Sequence, residues 1–133
     1  MTHSLNNKKR LEEKCDQALR EYLRWRDTDG TYFVCFCCQK KMLKEYASVG
    51  HYRKRGNHST RWLLKNNHLI CLSCQDEGNP ENEERYAARL DIVYGSGTAE
   101  LLEQLSHVRT SYFIHELIDI IDSFQKLKEA GIR

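Results

Sequence analysis

Cys35 and Cys38, then Cys71 and Cys74, form two C-x2-C pairs, and this pattern restricts the fold more than any other feature of the chain. A C-x2-C turn directs two thiolates at one centre, and two such turns complete a tetrahedral set of four, the preferred shell of structural zinc. The interval between the pairs is longer than in a compact zinc ribbon. The expected layout is therefore a treble clef, with the first pair on a hairpin turn and the second opening a helix. Disulfides or buried core thiols are the other reading. Disulfides need an oxidising compartment, and Met1–Arg10 is polar and basic with no apolar signal region, so a reducing cytoplasm and a metal are expected. Of the remaining thiols, Cys15 falls at an apolar position of a helical stretch. Cys37 lies inside the first knuckle and can exchange with a neighbouring ligand, although the paired spacing favours Cys35 and Cys38.

A chain of 133 residues buries only a modest apolar interior, which a metal staple compensates. We expect a single domain over 1–133: an N-terminal helix in 1–30, a zinc-bound core in 31–95 and C-terminal helices in 96–133. The formal net charge is +2, but its distribution is uneven. Residues 1–75 carry 15 Lys and Arg against 7 Asp and Glu, a net of +8, and residues 76–133 carry 6 against 12, a net of −6. The basic first half suggests a polyanion-binding face, although solvated helices give milder versions of the same asymmetry. No stretch approaches the roughly 18 apolar residues of a membrane span.

Between Lys8 and Asp27, Leu11, Cys15, Ala18, Leu19, Tyr22 and Leu23 recur at helical spacing, and Gly30 suits the stop. "TYFVCFCC" reads as a strand and "KMLKEYASVGHY" as its hairpin partner, with the first knuckle as the turn. "RWLLKNNHLIC" is expected to be irregular or strand-like. Asn79-Pro80 is a strong helix start, because Asn caps free amides and Pro has none to satisfy. That helix should run to about Val93, followed by one from Thr98 to about His107 and one from about Ser111 to Ala130. The fold class is therefore α+β and mainly helical, a zinc-bound hairpin core with flanking helices. The last helix carries two apolar stripes, one with Phe113, Leu117, Ile120, Phe124 and Leu127, the other with Ile114, Ile118 and Ile121. They suit either packing between helices of one chain or a homodimer.

Residues 51–65 contain Arg53, Lys54, Arg55, Arg61 and Lys65 and no acid. Such a loop, held between two knuckles, can neutralise several phosphates, and Tyr52 and Trp62 can stack on exposed bases; the plainer reading is a solvated basic face. His51 precedes the cluster. With an ordinary pKa near 6.5 it can take a proton from water attacking a phosphodiester, although an isolated loop histidine is more often a surface residue. Asn66, His68 and Asn79 are nearby candidates for ligands or orienting groups.

The ordered elements "REYLRWRDTDG", "VCFCCQK", "GHYRKRG", "NNHLICLSCQDEGN" and "ERYAARL" resemble the NinG (Rap) family of lambdoid phage recombination nucleases. The resemblance runs from about Arg20 to beyond Leu90, with a weaker match in the C-terminal helix. It implies an HNH-like ββα-metal core and a metal-dependent, structure-specific DNA endonuclease acting on branched recombination intermediates such as Holliday junctions and D-loops, in the cytoplasm of a bacterial host. It further implies His51 as general base, Asn66 as the residue shaping the active-site loop, structural zinc on Cys35, Cys38, Cys71 and Cys74, and catalytic Mg2+ or Mn2+. Two positions depart from the ββα-metal pattern. Gly50 stands where a metal-binding Asp commonly precedes the catalytic His, and Gln75 where Asn or His commonly follows the second cysteine pair. His68 or Asn79 would then complete the catalytic metal site. The alternative is a zinc-stabilised DNA-binding protein without catalysis.

Overall fold

The computed structural model of the chain describes residues 2–76 and 79–133, with the backbone alone for residues 2–5. Its elements run α1 (Thr2–Asp27), β1 (Tyr32–Val34), β2 (Lys41–Leu43), β3 (Ser48–His51), β4 (Asn67–Ile70), α2 (Pro80–Tyr94), α3 (Thr98–Ser106) and α4 (Ile114–Glu129). Single 3-10 turns lie at Lys44–Tyr46, Leu64–Asn66 and Leu72–Cys74. The class is mixed α+β, four helices with two small antiparallel hairpins. Two compact units divide the chain: the N-terminal residues through Arg26 together with Ser111–Arg133, and Asp27–Thr110 between them.

In the first unit the apolar stripe of α1 meets that of α4. The Cys15 thiol donates to the Leu117 carbonyl at 3.3 Å, and the Tyr22 hydroxyl to the Ile132 carbonyl at 2.9 Å. The Tyr22 and Phe124 rings stack at 6.0 Å. The two buried residues of α4, Leu117 and Phe124, both belong to the first stripe, whereas Phe113 at its start and Ile114 and Ile118 of the second are exposed. Glu116 accepts from the Phe113 N–H at 2.9 Å and so starts α4 at Ile114, later than Ser111.

In the second unit the long hairpin expected from the sequence is divided. β1 pairs only with β2 (Tyr32 opposite Leu43, Val34 opposite Lys41), and the 3-10 turn Lys44–Tyr46 then redirects the chain. β3 pairs instead with β4, Ser48 opposite Ile70 and His51 opposite Asn67. Cross-strand partners decide such pairing, and a segment's own alternation does not reveal them. A second correction concerns the second cysteine pair, which sits on the tight turn Leu72–Cys74 rather than opening a helix. The helix α2 begins at Pro80, where Asn79 Oδ1 accepts from the Glu81 N–H at 3.0 Å.

α2 is fastened to what precedes it by polar contacts. Asn82 Nδ2 donates to the Ser73 and Asp76 carbonyls at 3.0 and 3.1 Å, and Arg89 Nε to the Phe36 carbonyl at 3.2 Å. Tyr86 drives its hydroxyl under the β3–β4 hairpin, where it donates to the Gly50 carbonyl at 2.8 Å. No helix among the described residues is long and apolar enough to cross a membrane.

Candidate metal centre and active-site cleft

The two knuckles bring Cys35, Cys38, Cys71 and Cys74 together, with all four sulfurs within 4.8 Å of one another. The Cys38 and Cys71 sulfurs are 3.8 Å apart, which matches the edge of about 3.8 Å that follows from Zn–S bonds of about 2.3 Å in a tetrahedron. The residues therefore fit a four-thiolate metal such as zinc. Burial pushes the Cys35 thiol up, but backbone N–H groups of Cys38, Cys71 and Cys37 outweigh it and leave the group lowered to about 7. Of these, the Cys71 N–H lies 3.4 Å from the Cys35 sulfur. Arg85 on α2 donates to the Cys74 sulfur at 3.7 Å. Such donors favour thiolates, the form a metal binds, but they prevail only at Cys35: burial, then the Cys35 charge, raises the Cys74 thiol, and burial raises that of Cys38. Cys37 stands outside the cluster. Burial, then the neighbouring Cys35 charge, pushes it up to about 12, as suits a neutral core thiol.

A cleft of about 280 Å³ opens beside the second knuckle, with His51, Arg53, Asp76, Asn79, Asn82 and Glu83 in its wall. His51 ends β3. The loop that follows is gripped by Asn66, which is fully buried. Its Oδ1 accepts from the Arg53 N–H at 2.8 Å and its Nδ2 donates to the Arg53 carbonyl at 3.2 Å. Arg53 reaches across the cleft to Glu83, Nη1 to Oε1 at 2.9 Å.

His68 is not in this wall. Its ring stacks on Phe36 at 3.7 Å, with Nδ1 2.9 Å from the Tyr86 hydroxyl and Nε2 2.7 Å from that of Tyr94. Because the Tyr86 proton goes to the Gly50 carbonyl, the network assigns the His68 proton to Nδ1 and makes Nε2 the acceptor from Tyr94. Both nitrogens thus serve the core, and His68 is a structural residue here rather than a cleft ligand.

The expected DNA-contacting residues also separate. Lys54, Arg55 and Lys65 are exposed. Arg61 is buried with its guanidinium 4.8 Å from the Trp62 ring, and Trp62, 6% exposed, offers no face to a base. Tyr52 is half-buried and tilts against Tyr86 at 5.4 Å.

A family model described as bacteriophage lambda NinG protein matches residues 2–131. The chain belongs to the NinG family. Membership makes it a phage recombination-associated protein. No match was found among curated proteins or among solved structures. Within this NinG-family chain, Gly50 has a packing explanation: a Cβ there would stand 2.7 Å from Ile70 Cγ1, so an Asp has no room. Gln75 accepts from the Ser48 hydroxyl at 3.0 Å and so ties the knuckle to β3.

Sequence reasoning missed Asp76, Asn82, Glu83 and Tyr86. A usable signal was present, because Asn79, Asn82 or Glu83, and Tyr86 recur at three- and four-residue steps and so share one face of α2.

Proposed function

We propose that the chain is a metal-dependent endonuclease of the ββα-metal type that cuts branched DNA recombination intermediates. The observation that carries this reading is the two-point hold of Asn66 on the Arg53 backbone. It fixes the loop leaving His51 at the wall of a cleft that also presents Asp76, Asn79 and Glu83. The β3–β4 hairpin followed by α2 supports the same reading, as does the four-thiolate site that anchors the knuckles.

In the reaction, His51 in its neutral form accepts the proton of a water aligned with the scissile phosphate. Arg53 is within the cleft to meet the phosphate's charge, and Lys54 and Arg55 extend that charge outward along the strand. The oxygens of Asp76, Asn79 and Glu83 are donors that suit a hard cation such as Mg2+ or Mn2+. When bound, that cation would neutralise charge on the phosphate and the leaving oxygen.

Incubating the purified protein with four-way junctions, flaps and linear duplex in Mg2+ or Mn2+ tests the proposal; cutting confined to branched substrates is expected. The second reading, a zinc-stabilised DNA-binding protein without catalysis, draws on Gly50 and on the Arg53–Glu83 ion pair that occupies one of the cleft's carboxylates. Tight junction binding with no cutting in either cation would establish it.

A further inference from the structure

Arg53 is held at both ends where it lines the cleft. Asn66 fixes its backbone through the N–H and the carbonyl, and Glu83 fixes its tip, Nη1 to Oε1 at 2.9 Å. Between these holds the guanidinium carbon lies 5.4 Å from the centre of the Tyr52 ring. A long side chain loses rotamer freedom when it is tethered in this way. The ion pair gives the fold little in return, because the Glu83 side chain is 57% accessible and such pairs are screened by solvent.

Arg53 also keeps donor capacity. The ion pair engages one of the five N–H groups of the guanidinium, and Nε is enclosed with no hydrogen-bond partner among the described residues. An enclosed donor without an acceptor costs stability, so folding alone does not account for the arrangement. An acceptor brought into the cleft does. The planar fork of a guanidinium matches two oxygens of one phosphate, and Lys54, exposed and lining the same cleft, adds a second cation beside it. Asp76 and Glu83 line that cleft too, so net charge alone does not draw a polyanion in. The orientation of Arg53 is what distinguishes the site.

We infer that Glu83 is a positioning residue for DNA binding: it holds the Arg53 guanidinium ready for one backbone phosphate of the strand in the cleft, so that an acid beside the substrate raises affinity. The inference rests on the reading of the cleft as the seat of DNA and adds to it the residue that orders the phosphate contact. A side chain already ordered in the unbound protein does not have to be ordered on binding. The negative charge of Glu83 acts in the opposite sense, repelling the strand. Substitution separates the two effects, because the hold needs an acceptor oxygen and the repulsion needs a charge.

The test is a set of titrations with a four-way junction at several salt concentrations, without added Mg2+ or Mn2+, so that it does not depend on whether the protein cuts. Wild type, Glu83→Gln, Glu83→Ala and Arg53→Ala are compared with the two Glu83 changes made in the Arg53→Ala protein, each checked for zinc content and thermal stability. Glu83→Gln keeps an oxygen for Nη1 and removes the charge, whereas Glu83→Ala removes both. Glu83→Gln is expected to bind at least as tightly as wild type. Glu83→Ala should bind about two- to ten-fold more weakly than Glu83→Gln, the cost of immobilising one long side chain on association. Arg53→Ala should lower the salt slope by about 0.9, as loss of one phosphate contact requires, and in that background the Gln and Ala forms should bind alike. A pure charge effect instead makes both neutral variants bind equally and more tightly than wild type. That result, or a difference between Gln and Ala that persists without Arg53, overturns the inference. Strand cutting, measured separately in Mg2+ or Mn2+, keeps the two readings apart. Cutting without the Gln–Ala difference removes only the role of Glu83, and the difference without cutting removes only the nuclease. A wild type that binds no DNA removes both.

Discussion

Ile70 occupies the space that a side chain at residue 50 would need. Gly50 lies opposite His68 in the β3–β4 ladder, and an added Cβ would meet the Ile70 side chain, 2.7 Å from Cγ1. Replacing Gly50 with Asp to supply the metal-binding carboxylate usual in ββα-metal nucleases should therefore disrupt rather than restore. We expect Gly50→Asp to destabilise by about 3 kcal/mol through overpacking and carboxylate burial, and the added Ile70→Ala change to recover part of the loss. Urea unfolding of both variants measures this. A Gly50→Asp protein as stable as wild type would show that the strand can shift to make room.

Removal of the metal bears on the fold itself. Four free thiols within 4.8 Å of one another stabilise a module this small only when an ion holds them, because metal binding and folding are then one equilibrium. Chelation of zinc, or Cys71→Ser, should unfold the second unit. Circular dichroism with metal analysis reads the result, and a zinc-free protein of unchanged thermal stability would refute it. Cys37→Ser, outside the cluster, should retain the metal.

Gln39 closes the first knuckle with φ at +63°, the left-handed region that side chains resist. Its N–H bonds to the Cys35 carbonyl at 2.8 Å, so the turn cannot relax without opening the knuckle. Gln39→Gly should be neutral or should stabilise by up to about 1 kcal/mol. Gln39→Val should destabilise by more than that, and paired thermal melts distinguish the two.

The basic loop divides into residues that face solvent and residues that face the core, which gives a contrast between two arginines. Arg55 is exposed, whereas Arg61 is 5% accessible beside Trp62. Arg55→Ala should weaken DNA binding similarly across sequences and reduce the salt slope by about 0.9 for each lost phosphate contact. Arg61→Ala should leave the slope unchanged and cost about 1–2 kcal/mol of stability through lost packing and cation–π contact. Titrations at several salt concentrations, with melts alongside, separate the roles. A reversed pattern would place the DNA face elsewhere.

What could be read from the sequence follows the range of the interactions. The Asn79-Pro80 cap, the helical stripes of α1 and α4 and the C-x2-C pairs are local patterns, and each marks an observed element or cluster. Local alternation could not reveal that Ser48–His51 pairs with Asn67–Ile70, because the partner strand is supplied by distant chain. The same holds for individual side chains. His68, Trp62 and Arg61 have residue types that suit ligands and nucleic-acid contacts, but β4 and the loop before it turn them inward, where Phe36, Tyr86 and Tyr94 enclose His68. Glu83 went unnoticed because its significance comes from facing Arg53 across the cleft, a relation between residues thirty positions apart.

The decisive variants are those at His51 and Asn66. His51→Ala should abolish strand cleavage while junction affinity stays within a few-fold of wild type. A positioned general base typically contributes about 10²- to 10⁴-fold in rate, and affinity is set mainly by phosphate contacts. Asn66 does not itself line the cleft; it acts through its two bonds to the backbone of Arg53, which does. Asn66→Ala should thus lower cleavage and also destabilise by about 2 kcal/mol, since a buried amide's two partners lose their bonds. Asn66→Asp keeps the acceptor for the Arg53 N–H but loses the donor to its carbonyl, and should fall between the two. Quenched-flow cleavage and junction binding, measured on the same preparations, read these effects apart. Cleavage at the wild-type rate by His51→Ala would remove His51 from the chemistry and send the search for the base to Asp76 and Glu83 in the same wall.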